Sequence, residues 1–305
     1  MPRTVQFAEY GDPEVLTVVD TPAPEPGPNQ VGVQVRAAGL NPIDWKIVAG
    51  FMREIQPIDL PAGVGSDVAG VVDAVGSEVT GWAVGDAVLG RSVTGAFAEY
   101  ALAEAGELVA KPDGIDWDVA GSLAGAGGTA YAVLDELDLK SGETLLIHAA
   151  AGGVGTFAVQ LARARGVNVI GTASEGNHDH LRSIGATPVL YGDGLLERVR
   201  AVAPQGVDAV LDASGHGEIP LSIELTGNPK RVLTIVAFDQ ADKGIQVHVG
   251  GAGASLGKAL GDIVALISDG RLQVSVSASY PLEQAAAALA ASRTGHATGK
   301  IVVLP

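Results

Sequence analysis

Cysteine is absent from this chain of 305 residues, and its absence removes disulfides, thiolate nucleophiles and Cys-ligated zinc. Aromatic residues are scarce at 4%, so Val, Leu, Ile and Ala must fill the core. Basic residues are few: 19 Lys and Arg stand against 35 Asp and Glu, a formal net charge of −16. Such a surface repels phosphate backbones and anionic bilayers, so neither nucleic acid nor membrane is an expected partner. No apolar run reaches the roughly 18 residues of a spanning helix. The first residues, Met1-Pro2-Arg3-Thr4-Val5, lack the apolar stretch of a secretory signal, so a cytoplasmic location is expected.

What the chain has in plenty is glycine, 42 residues against 16 Pro. The glycines are scattered rather than periodic, which suits tight turns and close backbone approaches. At this length, with 47% hydrophobic residues, one large domain or two ordinary ones can each hold a core. Up to about residue 117 the grammar is that of short strands. Apolar stretches such as Val31 to Val35 and Val68 to Val75 are broken by Gly, Pro and Asp turns. Thr21 to Pro28 carries four prolines and predicts an extended connection.

Beyond that point helix-like and strand-like segments alternate: Asp118 to Leu139, Thr144 to Ala149, Gly155 to Arg165, Asn168 to Thr172, His178 to Ile184, Val207 to Asp212 and Arg231 to Val236. This alternation predicts an α/β, doubly wound parallel sheet. The continuous apolar runs Leu145-Leu146-Ile147 and Ala209-Val210-Leu211 suit strands covered on both faces. Ile263 to Ile267 and Tyr280 to Leu289 read as helical. Gly299 to Leu304 reads as a terminal strand that closes the sheet of the first domain.

The predicted strand Thr144 to Ala149 runs into Ala150-Ala151-Gly152-Gly153-Val154-Gly155, and an apolar helix follows. In the G-x-G-x-x-G frame, Ala150 takes the first position, Gly152 the second and Gly155 the third. Gly152 would let the backbone approach a pyrophosphate, and Gly155 would let helix and strand pack closely. The N-terminus of the helix that follows would offer free N–H groups to the phosphates, with Gly153 and Val154 among the candidate cofactor-binding residues. About 20 residues further on, a carboxylate would bind the ribose 2′-OH of NAD. Ser174 stands there, small enough to admit a 2′-phosphate and able to donate to it. Asn177, His178, Arg182 and Tyr191 are further donors. This favours NADPH, although Glu175, turned inward, would favour NADH. The plainer reading of His178 and Arg182 is a solvated first turn of a helix.

The segments Asn41-Pro42-Ile43-Asp44-Trp45-Lys46, Gly65-Ser66-Asp67-Val68-Ala69-Gly70, Gly81-Trp82-Ala83-Val84-Gly85-Asp86, Gly95-Ala96-Phe97-Ala98-Glu99-Tyr100, Gly128-Thr129-Ala130-Tyr131, Asp212-Ala213-Ser214-Gly215 and Gly299-Lys300-Ile301-Val302 follow one another in order. Together with the glycine turn, they make the chain resemble the zinc-free, quinone oxidoreductase-like and enone (alkenal) reductase branch of the medium-chain dehydrogenases/reductases. The resemblance implies a GroES-like β-rich catalytic domain, residues 1–117 and 263–305, plus a doubly wound Rossmann NADP-binding domain, residues 118–262. Zinc relatives carry Gly-His-Glu where this chain has Gly65-Ser66-Asp67, so no metal is expected. His148 and His248, in strand-like runs, are expected as core or edge histidines.

By resemblance, Asn41 would hold the nicotinamide ribose or the substrate carbonyl. Lys46, in an Asn-Pro-x-Asp-Trp-Lys pattern like that of alkenal reductases, would stabilise an enolate or relay a proton. The plainer alternative for Lys46 is a surface lysine after a turn. Thr129 would face the cofactor, as would Ser214, while Ala237 and Phe238 would flank the nicotinamide. The implied partners are a small-molecule quinone or enone substrate and a second copy of the chain, a homodimer joined near Val247 to Val249. A pathway-specific enoyl reductase, or an NADPH-binding protein with a structural role, stands as the alternative. Loops Gly50 to Pro61 and Phe238 to Gly253 are expected to set substrate size.

Overall fold

The computed structural model describes residues 1–250, 256–295 and 299–305, and the chain divides into two compact units. The first opens with the antiparallel strands β1 (Arg3–Phe7) and β2 (Leu16–Asp20), then the long β3 (Gln30–Leu40) and helix α1 (Pro42–Val48). It continues through β4 (Ala62–Gly63), β5 (Asp67–Val75), β6 (Ala87–Arg91), β7 (Tyr100–Glu104), β8 (Val109–Ala110) and helix α2 (Trp117–Gly121). Val31, Val33 and Val35 of β3 are buried while Arg36 is exposed, as the alternation requires. The proline-rich stretch 21–28 contains neither helix nor strand.

One continuous helix over Asp118 to Leu139 was the expectation; the structure has two, α2 and α3 (Ala124–Glu136). The chain passes so close to β3 here that main chain meets main chain. A Cβ on Gly121 would stand 2.6 Å from the Ala37 carbonyl oxygen, and one on Gly39 would stand 2.5 Å from that of Gly121. Close packing of two backbones outweighs helix continuity at this point.

The second unit alternates strand and helix: β9 (Thr144–His148), α4 (Gly153–Ala164), β10 (Asn168–Ala173), α5 (His178–Ser183), β11 (Thr187–Leu190), α6 (Leu195–Val202), β12 (Ala209–Asp212), α7 (Ile219–Thr226), β13 (Val232–Thr234) and β14 (Gln246–Val247). Their order is β11-β10-β9-β12-β13-β14, with parallel pairing throughout the described ladder. The order reverses at β9, which is the doubly wound, Rossmann arrangement. Leu145, Leu146 and Ile147 are fully buried, as are Val210 and Leu211. His148 and His248 are both buried, the first beside the Ser222 hydroxyl at 3.0 Å and the second beside the Glu136 carboxylate at 2.8 Å.

The chain then adds α8 (Leu256–Ser268), β15 (Val276–Pro281), α9 (Ala285–Arg293) and β16 (Lys300–Leu304). Tyr280 belongs to β15 rather than to the helix expected over Tyr280 to Leu289; alternating exposure along Val276–Pro281 and pairing with β16 hold it extended. β16 pairs with β3 antiparallel, so the terminal strand does complete the first unit's seven-stranded sheet. Helix α8 and residues up to Gly128 cluster with the β-rich unit, whereas Asp269–Gln273 cluster with the other, against the 1–117 and 263–305 read from the sequence. The 251–253 part of the loop Phe238 to Gly253 lies outside the described residues.

Candidate nucleotide and active site

In the second unit the expected cofactor residues other than Thr129 follow the carboxyl ends of the parallel strands. At the end of β9, Ala149 adopts a left-handed conformation (φ 55°), uncommon for a residue with a side chain. Its N–H donates to the Thr172 hydroxyl (3.2 Å), and that of Ala150 to the Thr172 carbonyl (3.0 Å). The turn after β9 is therefore tied to the end of β10. Gly152 caps α4, accepting from the Thr156 N–H at 2.9 Å. The N–H groups of Gly153, Val154 and Gly155 fall in the first turn, where a helix offers no internal acceptors. A Cβ on Gly155 would stand 2.5 Å from the Ala149 carbonyl oxygen and 2.7 Å from Ala150 Cα. Only glycine fits there.

Ser174 follows β10, half-buried, and its Oγ accepts from Asn177 Nδ2 at 3.2 Å. Glu175 is exposed. His178 begins α5, and its Nε2 is buried without a partner among the described residues. Arg182 is engaged by Asp179 at 2.6 Å. Tyr191, after β11, is 52% exposed. After β12 the Ser214 hydroxyl lies between Asp212 Oδ1 (3.0 Å) and Glu218 Oε2 (2.7 Å). After β13 the Ala237 N–H donates to Thr234 Oγ1 (2.9 Å), and Phe238 stands half exposed. Thr129 is half-buried on α3, not at a strand end.

A turn that leaves no room for a Cβ at Gly155, a helix start rich in free N–H groups and an orphaned His178 nitrogen together fit an anionic dinucleotide. Burial pushes His148, deeper in the same unit, below the usual histidine range, opposed by Glu218 and Asp212. It serves as a neutral core hydrogen-bonding group.

In the first unit, Asn41 is the N-cap of α1 and is 7% exposed. Its backbone N–H donates to Asp44 Oδ2 at 2.7 Å. Its side-chain Oδ1 accepts from Lys300 Nζ at 2.6 Å, while Lys300 also donates to the Leu40 carbonyl at 3.1 Å. Asp67 is fully buried nearby, and a Cβ on Gly125 would touch both Asn41 Nδ2 (2.6 Å) and Asp67 Oδ1 (2.8 Å). Asn41 Nδ2 and both Asp67 carboxylate oxygens have no partner among the described residues. Burial, with the Asp67 charge adding to it, pushes Asp44 up to about 7 against the Asn41 N–H and Lys300. Burial likewise lowers Lys300, opposed by Asp67 and Asp44. Lys46 lies in the last turn of α1, half-buried, its Nζ 5.7 Å from the centroid of the Trp45 ring.

Sequence reasoning found Asn41 but missed Lys300, Asp44 and Asp67 as one cluster. The available signal was a lysine opening an otherwise apolar strand, Lys300-Ile301-Val302-Val303. A lysine is almost never buried without a partner. Thr172, Asp212 and Thr234, which brace the turns after β9, β12 and β13, were missed as well. Asp212 opens the quoted segment Asp212-Ala213-Ser214-Gly215, but nothing in the local sequence distinguishes Thr172 and Thr234.

A Rossmann sheet joined in one chain to a β-rich unit closed by the terminal strand is the build of a medium-chain dehydrogenase/reductase. The profile of the alcohol dehydrogenase GroES-like domain matches residues 27–113, and that described as zinc-binding dehydrogenase matches residues 184–303. A quinone oxidoreductase of Pseudomonas aeruginosa is 47% identical over 176 residues, 57% of this chain and 53% of that protein. The chloroplastic quinone oxidoreductase QR1 of Triphysaria versicolor is 33% identical over 99% of this chain and 98% of its own. The structure of Escherichia coli quinone oxidoreductase complexed with NADPH superimposes with a TM-score of 0.86, at 28% identity, covering 99% of this chain and 100% of that one. The chain belongs to the medium-chain dehydrogenase/reductase superfamily, in its quinone oxidoreductase-like branch.

Proposed function

We propose that the protein is a zinc-independent, NADPH-dependent oxidoreductase that reduces a quinone or the β-carbon of an α,β-unsaturated carbonyl. The observation that carries the cofactor preference is Ser174 at the end of β10, half-buried, with His178 Nε2 unpartnered among the described residues and Glu175 exposed. A 2′-phosphate needs donors and no carboxylate at that place. Gly152, Gly153, Val154 and Gly155 would hold the pyrophosphate, Ser174, His178 and Tyr191 the 2′-phosphate, and Ser214, Ala237, Phe238 and Thr129 the nicotinamide half. NADPH, when bound, supplies a hydride.

The chain's own task is then to stabilise negative charge on the substrate oxygen and to deliver a proton. Without a Lewis acid this favours conjugate acceptors, where charge spreads into an enolate or hydroquinone oxygen. Gly65-Ser66-Asp67 and the lack of any cysteine support the zinc-free assignment. Lys46 Nζ acts as the cation or proton donor at that oxygen, and Asn41 orients the ribose or the substrate carbonyl. β14 is one of the two edge strands of the described parallel sheet, β11 being the other, and a homodimer joined along β14 fits this role.

The test is oxidation of NADPH and of NADH, followed by absorbance, with an alkyl enone, an alkenal and a benzoquinone in parallel. Fast NADPH-dependent turnover of any of them supports the proposal. Tight NADPH binding with no turnover favours an enoyl reductase of restricted substrate range or a binding role.

A further inference from the structure

Four polar side chains meet in the interior of the β-rich unit, and the proposed mechanism uses just one of them. Asn41, Asp44, Asp67 and Lys300 are each at least nine-tenths buried. A protonated lysine nitrogen has no lone pair to offer and a carbonyl oxygen has no proton, so Lys300 is the donor in both of its contacts. Lys300 Nζ reaches Asn41 Oδ1 at 2.6 Å and the Leu40 carbonyl at 3.1 Å. With its oxygen taken by that donor, the Asn41 carboxamide cannot flip without setting its own NH2 against the lysine. Its Nδ2 is left buried with no acceptor among the described residues. A buried amide donor with no acceptor is costly.

We propose that Lys300 is a positioning residue for Asn41. It holds the carboxamide by its oxygen, so that Asn41 meets its ligand solely as a donor, through Nδ2, and the atom received is an oxygen acceptor. Two oxygens have that chemistry, a hydroxyl of the nicotinamide ribose and the carbonyl of the substrate. The proposal rests on the assignment of Asn41 to the active site made above. Asp67, and Asp44 when ionised, favour a protonated Lys300 against its burial. Asp44 also fixes the backbone of Asn41 by accepting from its N–H at 2.7 Å, so Asp44 and Lys300 brace the same residue from two sides.

The test is a double-mutant cycle in the full chain, with Asn41→Ala, Lys300→Met and both together. NADPH affinity is read by titration, and kcat and KM with NADPH and an alkyl enone. Loss of about 10-fold to 100-fold is expected for each single variant, with little further loss in the double variant, because both remove the same contact. Lys300→Arg, which keeps a donor at that place, should recover most of the loss. Weakened NADPH affinity would identify the ribose hydroxyl as the acceptor; intact NADPH affinity with impaired enone kinetics would identify the carbonyl. Losses that multiply in the double variant would overturn the proposal, since Lys300 would then act independently of Asn41. An Asn41→Ala variant with unchanged affinity and turnover would instead remove Asn41 from the active site.

Should Lys300→Met fail to fold, the wild-type protein still decides. The Asn41 side-chain amide resonances, assigned by NMR, should shift on addition of NADPH or of NADPH with the enone. Resonances that stay in place with both would show that Nδ2 meets no ligand, and the proposal would fall.

Discussion

Lys46 and Ser174 are the two residues to which the proposed function assigns charge stabilisation and cofactor choice, and both are half-buried polar side chains. Lys46 is half-buried beside Trp45, so Lys46→Ala removes a cation without opening a core cavity. Turnover of an enone should fall by about 100-fold, the scale of a lost general acid, while NADPH affinity changes little. Equal loss in both would mean that Lys46 has no part in the proton or charge step. Ser174→Asp sets a carboxylate where a 2′-phosphate is proposed to lie. It should weaken NADPH by at least tenfold, each tenfold being about 1.4 kcal/mol, and spare NADH. An unchanged preference, measured by titrating both cofactors, would place the 2′-phosphate elsewhere.

At the scale of elements, the β9–α4 turn depends on backbone room at Gly155 as well as on the Thr172 hydroxyl that holds Ala149. Gly155→Ala brings a methyl to 2.5 Å of the Ala149 carbonyl oxygen and 2.7 Å of Ala150 Cα, and both contacts are main chain, which cannot swing aside. Overpacking of this kind costs roughly 1–3 kcal/mol. Here it should also push the first turn of α4 away from β9, so cofactor affinity should fall together with the melting temperature. A variant that melts lower but binds NADPH as before would separate the turn from the cofactor site. The α1 end differs. There Pro42 starts the helix and Asp44 takes the Asn41 N–H, so the local sequence itself sets the cap.

At the scale of the whole molecule, stability should carry the signature of Asp44. Its folded pKa is raised to about 7 from the ordinary carboxylate range, so the folded state binds its proton more tightly than the unfolded chain. Stability from this group is therefore full below the unfolded value. It declines as pH climbs from about 4 to about 7 and is level above that. Asp44→Asn should flatten the fall, and the difference in melting temperature between wild type and variant, followed from pH 4 to 8, checks the sign. A difference that stays constant would mean that Asp44 does not titrate in this window. The net charge of −16 sets a second expectation: no retention on immobilised nucleic acid, even at low salt. Retention that weakens as salt rises would reveal a local basic surface that the overall charge conceals.

Much of this could be read from the chain alone because its signals are local. A strand, a glycine turn and an apolar helix in succession specify the nucleotide-binding turn, since Gly155 lies within a few residues of the carbonyls that exclude a side chain. Alternation marked β3, and continuous burial marked β9 and β12. The absence of cysteine by itself excludes Cys-ligated zinc. What tertiary structure alone decided is long-range. Lys300 meets Asn41 because β16 returns to pair with β3, and Asp67 comes beside them because β5 pairs with that same strand. The split between α2 and α3 likewise comes from Gly39 and Gly121 pressing two backbones together. Local propensity acts over one or two turns, whereas the shared burial of a lysine and two acids is set by strand register, which depends on residues hundreds of positions apart.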